Sequence, residues 1–166
     1  MSEQGLIGTV VHEGVVPPEW IDINDHMNVA YYVLAFDLGV DALWSTFGIT
    51  DDYITKDRGS TFAVECHVCY LKELRLGDPY VVTAQLLGFD EKRIHQFQRL
   101  YHAREHYLAA TAEWLNLHVS LESRRVTPWP EPILERIRDV ADGQAGQLRP
   151  PEAGKQITIA RPLYTL

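Results

Sequence analysis

Apolar and polar positions fall into two rhythms along this chain. From Thr61 to Leu71 they alternate, with Phe62, Val64, Cys66, Val68 and Tyr70 on one face and Ala63, Glu65, His67 and Cys69 on the other. A period of two is what a half-buried strand needs. Leu6 to Val16, Tyr80 to Leu87, Ile94 to Tyr101 and Tyr107 to Leu121 are rich in β-branched and aromatic residues and predict further strands. Pro17-Pro18 closes the first, because proline cannot donate to a ladder. Gly77-Asp78-Pro79 marks a turn, and Gly88 to Lys92 and Ala103 to Glu105 are short enough for hairpin links.

The second rhythm belongs to residues 28–48. Asn28 is a plausible N-cap and Gly48 a stop for one long helix ending near Phe47. Val29, Ala30, Tyr31, Tyr32, Val33, Leu34, Ala35, Phe36, Leu38, Val40, Ala42, Leu43 and Trp44 leave it almost no polar face. A surface helix carries an apolar stripe, whereas one apolar nearly all round is wrapped by other structure. Asp37 and Asp41 interrupt the run, so it predicts a buried helix and not a membrane span. After Pro128 to Pro132, residues Ile133, Leu134, Ile137, Val140 and Ala141 recur at helical spacing up to Gly143.

Strand, long buried helix and then consecutive antiparallel strands predict an α+β layout, a curved sheet around one helix. The expected organisation is one domain over residues 1–143 and a tail over 144–166, which carries three prolines and no predicted regular structure. With 166 residues and 46% apolar content, one core suffices without disulfide or metal. The net charge of -8 argues against nucleic-acid binding, which needs a basic face. Two cysteines, no signal-peptide pattern after Met1 and no long apolar run make a cytoplasmic protein the expectation, with no membrane association.

Asp22, Asn24, His26 and Asn28 stand at alternate positions just ahead of the long helix. A helix N-terminus offers unpaired N–H groups and a positive dipole end. These can bind a carbonyl oxygen that turns negative during acyl transfer, while a carboxylate supplies a nucleophile or general base. The plain alternative is a polar loop with capping residues. Spacing alone does not choose between the two.

The run Trp20-Ile21-Asp22-Ile23-Asn24-Asp25-His26-Met27-Asn28-Val29-Ala30-Tyr31-Tyr32, followed by Phe36-Asp37, resembles the signature of hotdog-fold thioesterases of the hydroxybenzoyl-CoA type. It is also similar to the Asp-x-Asn-x-His pattern of plant acyl-ACP thioesterases, and Tyr70 to Asp78 resembles the family's second-strand end. The likeness spans about Leu6 to Val140. It implies a hotdog fold and hydrolysis of an acyl-CoA thioester to free acid and CoA, without a cofactor or metal. Asp22 matches the catalytic acid, Asn24 and His26 the residues that accompany it, and the Val29 backbone N–H the oxyanion donor. Asn28, Tyr32 and Glu65 are the candidate substrate contacts. Two positions depart from the family pattern and leave the substrate class open. Trp20 stands where many members have an earlier Asp, and Val29 where the plant pattern has a second Asn.

More narrowly, the chain resembles thioesterases linked to carnitine catabolism, which implies betainyl-CoA or another short acyl-CoA. A trimethylammonium group would want an aromatic cage, for which Trp44, Trp114, Trp129, Tyr31 and Tyr32 are available, with core packing as the alternative. The family also implies a homodimer or homotetramer with sites between subunits, where Glu65 or His67 would complete the neighbour's site. An acyl-ACP thioesterase, a hotdog dehydratase and a non-catalytic acyl-CoA binder are the rival functions. His102-Ala103-Arg104-Glu105-His106 matches a zinc pattern, but falls at a predicted hairpin and not on a helix. Cys66 and Cys69 point to opposite faces of a strand and share neither a metal nor a disulfide. Lys72, Arg75, Lys92, Arg93, Arg124 and Arg125 are candidates for CoA phosphates.

Overall fold

The structure is a computed structural model that describes residues 6–158. Residues 1–5 and 159–166, the ends of the expected domain and tail, lie outside the described residues. Strand β1 (Thr9–Val15) leads through a 3-10 turn to helix α1 (Val29–Phe47). Strands β2 (Gly59–Tyr70), β3 (Pro79–Phe89), β4 (Arg93–His102) and β5 (Leu108–Ser120) follow, then the short β6 (Arg125–Val126) and helix α2 (Glu131–Gly143). The sheet is antiparallel, in the order β1-β3-β4-β5-β2, with β6 on β5. It curls over α1, the hotdog layout.

Helix α1 begins and ends where its caps dictate. The Asn28 side chain accepts from the N–H of Ala30 at 3.0 Å, and Gly48 takes the left-handed conformation at φ 86°. Ala35, Phe36, Gly39, Val40, Leu43 and Phe47 recur on one face and are buried against the sheet. Gly39 sets how closely the helix approaches. A Cβ there would lie 3.0 Å from Val11 Cγ2 and 3.1 Å from Val82 Cγ1. Beneath the helix, Gln98 donates to the Phe36 carbonyl at 3.0 Å and accepts from the Trp114 indole at 2.9 Å. A buried amide is tolerated there because both of its ends are paired.

The opposite face of α1 is open within one chain: Val29 is 54% exposed, and Leu34 and Leu38 are also exposed. The sheet curls over one side only, which a helix apolar nearly all round does not reveal. Strand β2 holds a second departure from the sequence pattern. A bulge between Ala63 and Glu65 inserts one residue, so Ala63 pairs with Asn116 while Cys66 pairs with Trp114. The alternation therefore changes parity there. Ala63 faces α1 before the bulge, and Cys66, Val68 and Tyr70 face it afterwards, whereas Phe62 turns outward beneath Arg124.

The beginning of the tail is ordered on the sheet. Gln144 extends the β3 ladder past the end of β1, accepting from Leu86 N–H at 2.8 Å and donating to the Ala84 carbonyl at 3.2 Å. The chain then crosses the face opposite α1. Gln85 donates to the Leu148 carbonyl at 3.0 Å, and Gly154 N–H donates to Glu113 at 2.6 Å.

Candidate active site

The loop ahead of α1 is held by its own backbone. Ile21 bridges Met27, Asp22 N–H donates to the His26 carbonyl at 3.1 Å, and Asp25 takes a left-handed φ of 60° at the tip. Buried Met27 anchors it, its N–H donating to the Leu74 carbonyl at 2.7 Å, and Trp20 stacks on Tyr31 with ring centres 5.3 Å apart. The apolar residues at 20, 21 and 27 thus fix the polar ones between them.

Within this frame the Oδ1 atom of Asp22 accepts the Asn24 N–H at 2.8 Å, leaving its other oxygen without a hydrogen-bond partner among the described residues. His26 Nδ1 lies 3.8 Å from the same Oδ1 and 3.4 Å from the Met27 carbonyl oxygen. Both side chains remain partly open to solvent. At the first turn of α1, Asn28 covers the Ala30 N–H, and the N–H of Val29 has no acceptor among the described residues. A bare donor at the positive end of a 19-residue helix is a ready anion site.

That donor opens on a groove of about 230 Å³, walled by His26, Val29, Tyr32, Tyr70, Lys72 and Glu73. Tyr70 donates to the Val29 carbonyl at 3.3 Å and meets Tyr32 edge-on at 5.5 Å. Tyr32 is buried, its hydroxyl accepting from the Leu74 N–H at 2.9 Å, so it braces the wall rather than reaching for a ligand. Burial raises its pKa. At the rim, Lys72 sits 3.7 Å above the Tyr107 ring, whose hydroxyl donates to the Glu73 carbonyl at 2.9 Å. Burial, followed by the nearby acids, pushes the Tyr107 pKa up to about 12.

Asp22, His26, Asn28, Val29 and Tyr32 thus come together at one end of α1. Asn24 does so only through its backbone, since its side chain is exposed. Glu65 lies elsewhere, on the sheet face opposite α1 with His67, His95 and Glu113. Plain alternation from Tyr70 back to Glu65 puts it there, and within one chain it cannot touch a substrate held at Val29. Tyr70 and Tyr107 carry no sequence signal for this site beyond the Tyr70–Asp78 run. Their role depends on β2 ending and β5 beginning beside the helix start.

Most of the aromatic residues proposed for a cage are core. Trp44, Trp114 and Trp129 are buried, as is Tyr32, and Tyr31 is engaged with Trp20. His102 ends β4, and its Nδ1 accepts from Arg104 and Glu105 N–H groups at 3.2 and 3.0 Å, so this ring organises the hairpin. Among the described residues there is no group of three or more His, Cys, Asp or Glu side chains placed to hold a metal ion. None of their helices is long and apolar enough to cross a membrane.

A bare helix N-terminus beside a fixed carboxylate, in a sheet curled over that helix, defines a class. The pattern of the thioesterase-like superfamily matches residues 16–137, and the chain belongs to that family of thioester hydrolases. It is 34% identical over 148 residues to a betainyl-CoA thioesterase of Pseudomonas aeruginosa, covering 89% of this chain and 93% of that protein. It is also 35% identical to an L-carnitine dehydrogenase/betainyl-CoA thioesterase of Rhizobium meliloti, covering 83% of this chain but only 28% of that longer one. In structure it is similar to a Staphylococcus aureus protein solved in complex with CoA. The TM-score is 0.86 at 29% identity, with 95% of this chain and 99% of that one covered.

Proposed function

We propose that the chain hydrolyses a short, positively charged acyl-CoA, with betainyl-CoA as the leading candidate, using Asp22 and the helix start of α1. The observation that carries this reading is the Val29 N–H, without an acceptor among the described residues, beside the loop that fixes Asp22. The thioester carbonyl oxygen accepts from that N–H, which strengthens as negative charge develops on the oxygen. Asp22 either attacks the carbonyl carbon to form a mixed anhydride that water then opens, or takes a proton from the attacking water. In both routes the C–S bond breaks and CoA leaves as thiolate. A thiol pKa near ~8.5 makes a dedicated general acid unnecessary. His26, 3.8 Å from Asp22, orients the carboxylate and the water.

The working unit on this reading is a homodimer. Strand β2 is a long sheet edge of 12 residues with Val64 54% exposed and Phe62 and Tyr70 also open. An unpaired edge of that length invites a second copy, and a two-fold axis near its middle makes the pairing self-complementary. The open apolar face of α1 is covered in the same step. Two unpaired cysteines and a CoA substrate suit the cytoplasm.

Thiol release across an acyl-CoA panel is the test. Rapid release from betainyl-CoA supports the proposal. Turnover of acyl-ACP alone, formation of an enoyl product without free thiol, or binding without turnover would each replace it with a rival function. Single turnover in ¹⁸O-water separates the routes, since label in the Asp22 carboxylate marks the anhydride.

A further inference from the structure

A betainyl group carries its cation close to the reacting atom. The nitrogen is two bonds from the thioester carbonyl carbon, about 2.5 Å away. With the carbonyl oxygen hydrogen-bonded to the Val29 N–H, that nitrogen lies within about 7 Å of the Val29 backbone nitrogen. A group that recognises the cation therefore has to line the same groove as the helix start, and none of the buried tryptophans does. Among the described aromatic residues, Phe62, Tyr70 and Phe89 are the exposed ones. Phe62 turns outward beneath Arg124 and Phe89 ends β3, which leaves Tyr70, 48% exposed, as the open ring of the groove.

Tyr70 is the last residue of β2 and is held from two sides. Its hydroxyl donates to the Val29 carbonyl at 3.3 Å, and its ring meets buried Tyr32 at 5.5 Å with the two planes at 80°. A ring fixed in this way gives up little conformational freedom when a ligand arrives. The charged groups that line the groove beside it are already engaged. The Lys72 ammonium rests 3.7 Å above the Tyr107 ring, and the Glu73 carboxylate accepts from Arg75 Nε at 2.9 Å.

We propose that Tyr70 selects the acyl group: its ring is the aromatic wall for a quaternary ammonium carried next to the thioester carbonyl. The negative face of the ring supplies the attraction at the distance that the carbonyl position imposes, with no carboxylate required. This deepens the thioesterase reading above and rests on it. The role expected of Trp44, Trp114, Trp129, Tyr31 and Tyr32 thereby falls to a residue at the end of a strand.

The experiment compares kcat/KM for betainyl-CoA with that for its uncharged isostere, 3,3-dimethylbutyryl-CoA. Thiol release is followed in wild type, Tyr70→Phe and Tyr70→Leu, with folding checked by circular dichroism. Wild type is expected to prefer the cationic ester, and equal values there overturn the assignment. Tyr70→Phe keeps a ring, so its ratio of the two values should stay within about threefold of wild type. Tyr70→Leu keeps apolar bulk without a ring, and its ratio should fall roughly tenfold. A Tyr70→Leu ratio within about twofold of wild type overturns the aromatic wall and leaves thioester hydrolysis standing. An equal fall in Tyr70→Phe also overturns it, since the hydroxyl would then be the recognising group. Where leucine disturbs the fold, Tyr70→tetrafluorotyrosine decides, because fluorine weakens the negative face and keeps the shape. A lower ratio there supports the wall, and an unchanged one overturns it. If wild type releases thiol from neither ester, the earlier reading fails instead, and calorimetric dissociation constants of the intact esters carry the same comparison. A preference for the cationic ester that Tyr70→Leu loses supports the wall, and its absence or survival overturns it.

Discussion

Replacing Asp22 with Asn removes a charge and almost nothing else. The one hydrogen bond that ties this side chain into the loop runs from the Asn24 N–H to Oδ1 at 2.8 Å, and an amide oxygen accepts it as well as a carboxylate does. Four further loop bonds, Asp22 N–H to His26, Asp25 N–H to Asp22, Met27 N–H to Leu74 and Asn28 N–H to Trp20, run between backbone groups that the substitution leaves in place. Stability should change by less than about 1 kcal/mol, the ordinary net worth of one such bond. Chemistry should not survive. Losing a positioned base or nucleophile costs 10²–10⁴-fold, roughly 3–5 kcal/mol of transition-state stabilisation. The expected outcome is a kcat at least about a hundredfold lower, with CoA-ester affinity within a few-fold of wild type. Thiol release gives kcat, and thermal unfolding of the same samples shows that the loop is intact. Asp25→Asn is the control, because Asn tolerates the φ of 60° at that position and activity should stay near wild type. His26 is the obvious rival base, 3.8 Å away. A folded Asp22→Asn enzyme within about tenfold of wild type would refute the assignment and move the base to His26.

Three further outcomes follow from the packing. Tyr32→Phe strips the Leu74 N–H of its one partner among the described residues in a buried place, and should cost about 1–3 kcal/mol in chemical denaturation; an unchanged midpoint would show that the N–H finds another acceptor. Gly48→Ala forces a left-handed φ of 86° on a residue with a Cβ that would overlap the Arg136 guanidinium, and should cost about 1–2 kcal/mol, with a stabilised variant as the contrary result. Burial holds the His118 pKa below its ordinary 6.5, so the folded chain favours the neutral ring. Its contribution is full above about 6.5 and is lost as pH falls from there through the lower folded value, because the unfolded chain takes the proton first. Denaturation midpoints should therefore drop between about pH 7.5 and 5.5, by less in His118→Gln, and equal slopes for the two proteins would remove His118 as a cause.

Much of this protein is written in short-range signals. Asn28 as cap, Gly48 as stop and Pro17-Pro18 as strand end depend on bonds within a turn or so of the residue concerned, and each falls where the sequence places it. The same holds for the loop proposed to carry the chemistry, whose spacing ahead of α1 is local and whose likeness to the thioesterase family is carried by consecutive residues. The order β1-β3-β4-β5-β2 is not local, since it depends on which strands share a curved face over α1. Nor is the bulge after Ala63, which breaks a clean alternation and turns Phe62 outward while Ala63 faces the helix. Alternation records which residues prefer burial, whereas a bulge is decided by how β2 must bend to stay paired with β5 around the helix. The aromatic residues show the same division. Trp44, Trp114 and Tyr32 have the chemistry of a cation cage, but their burial is a property of the packed core. The cavity between α1 and β2 likewise gathers on one wall residues from 37 to 116 that are far apart along the chain.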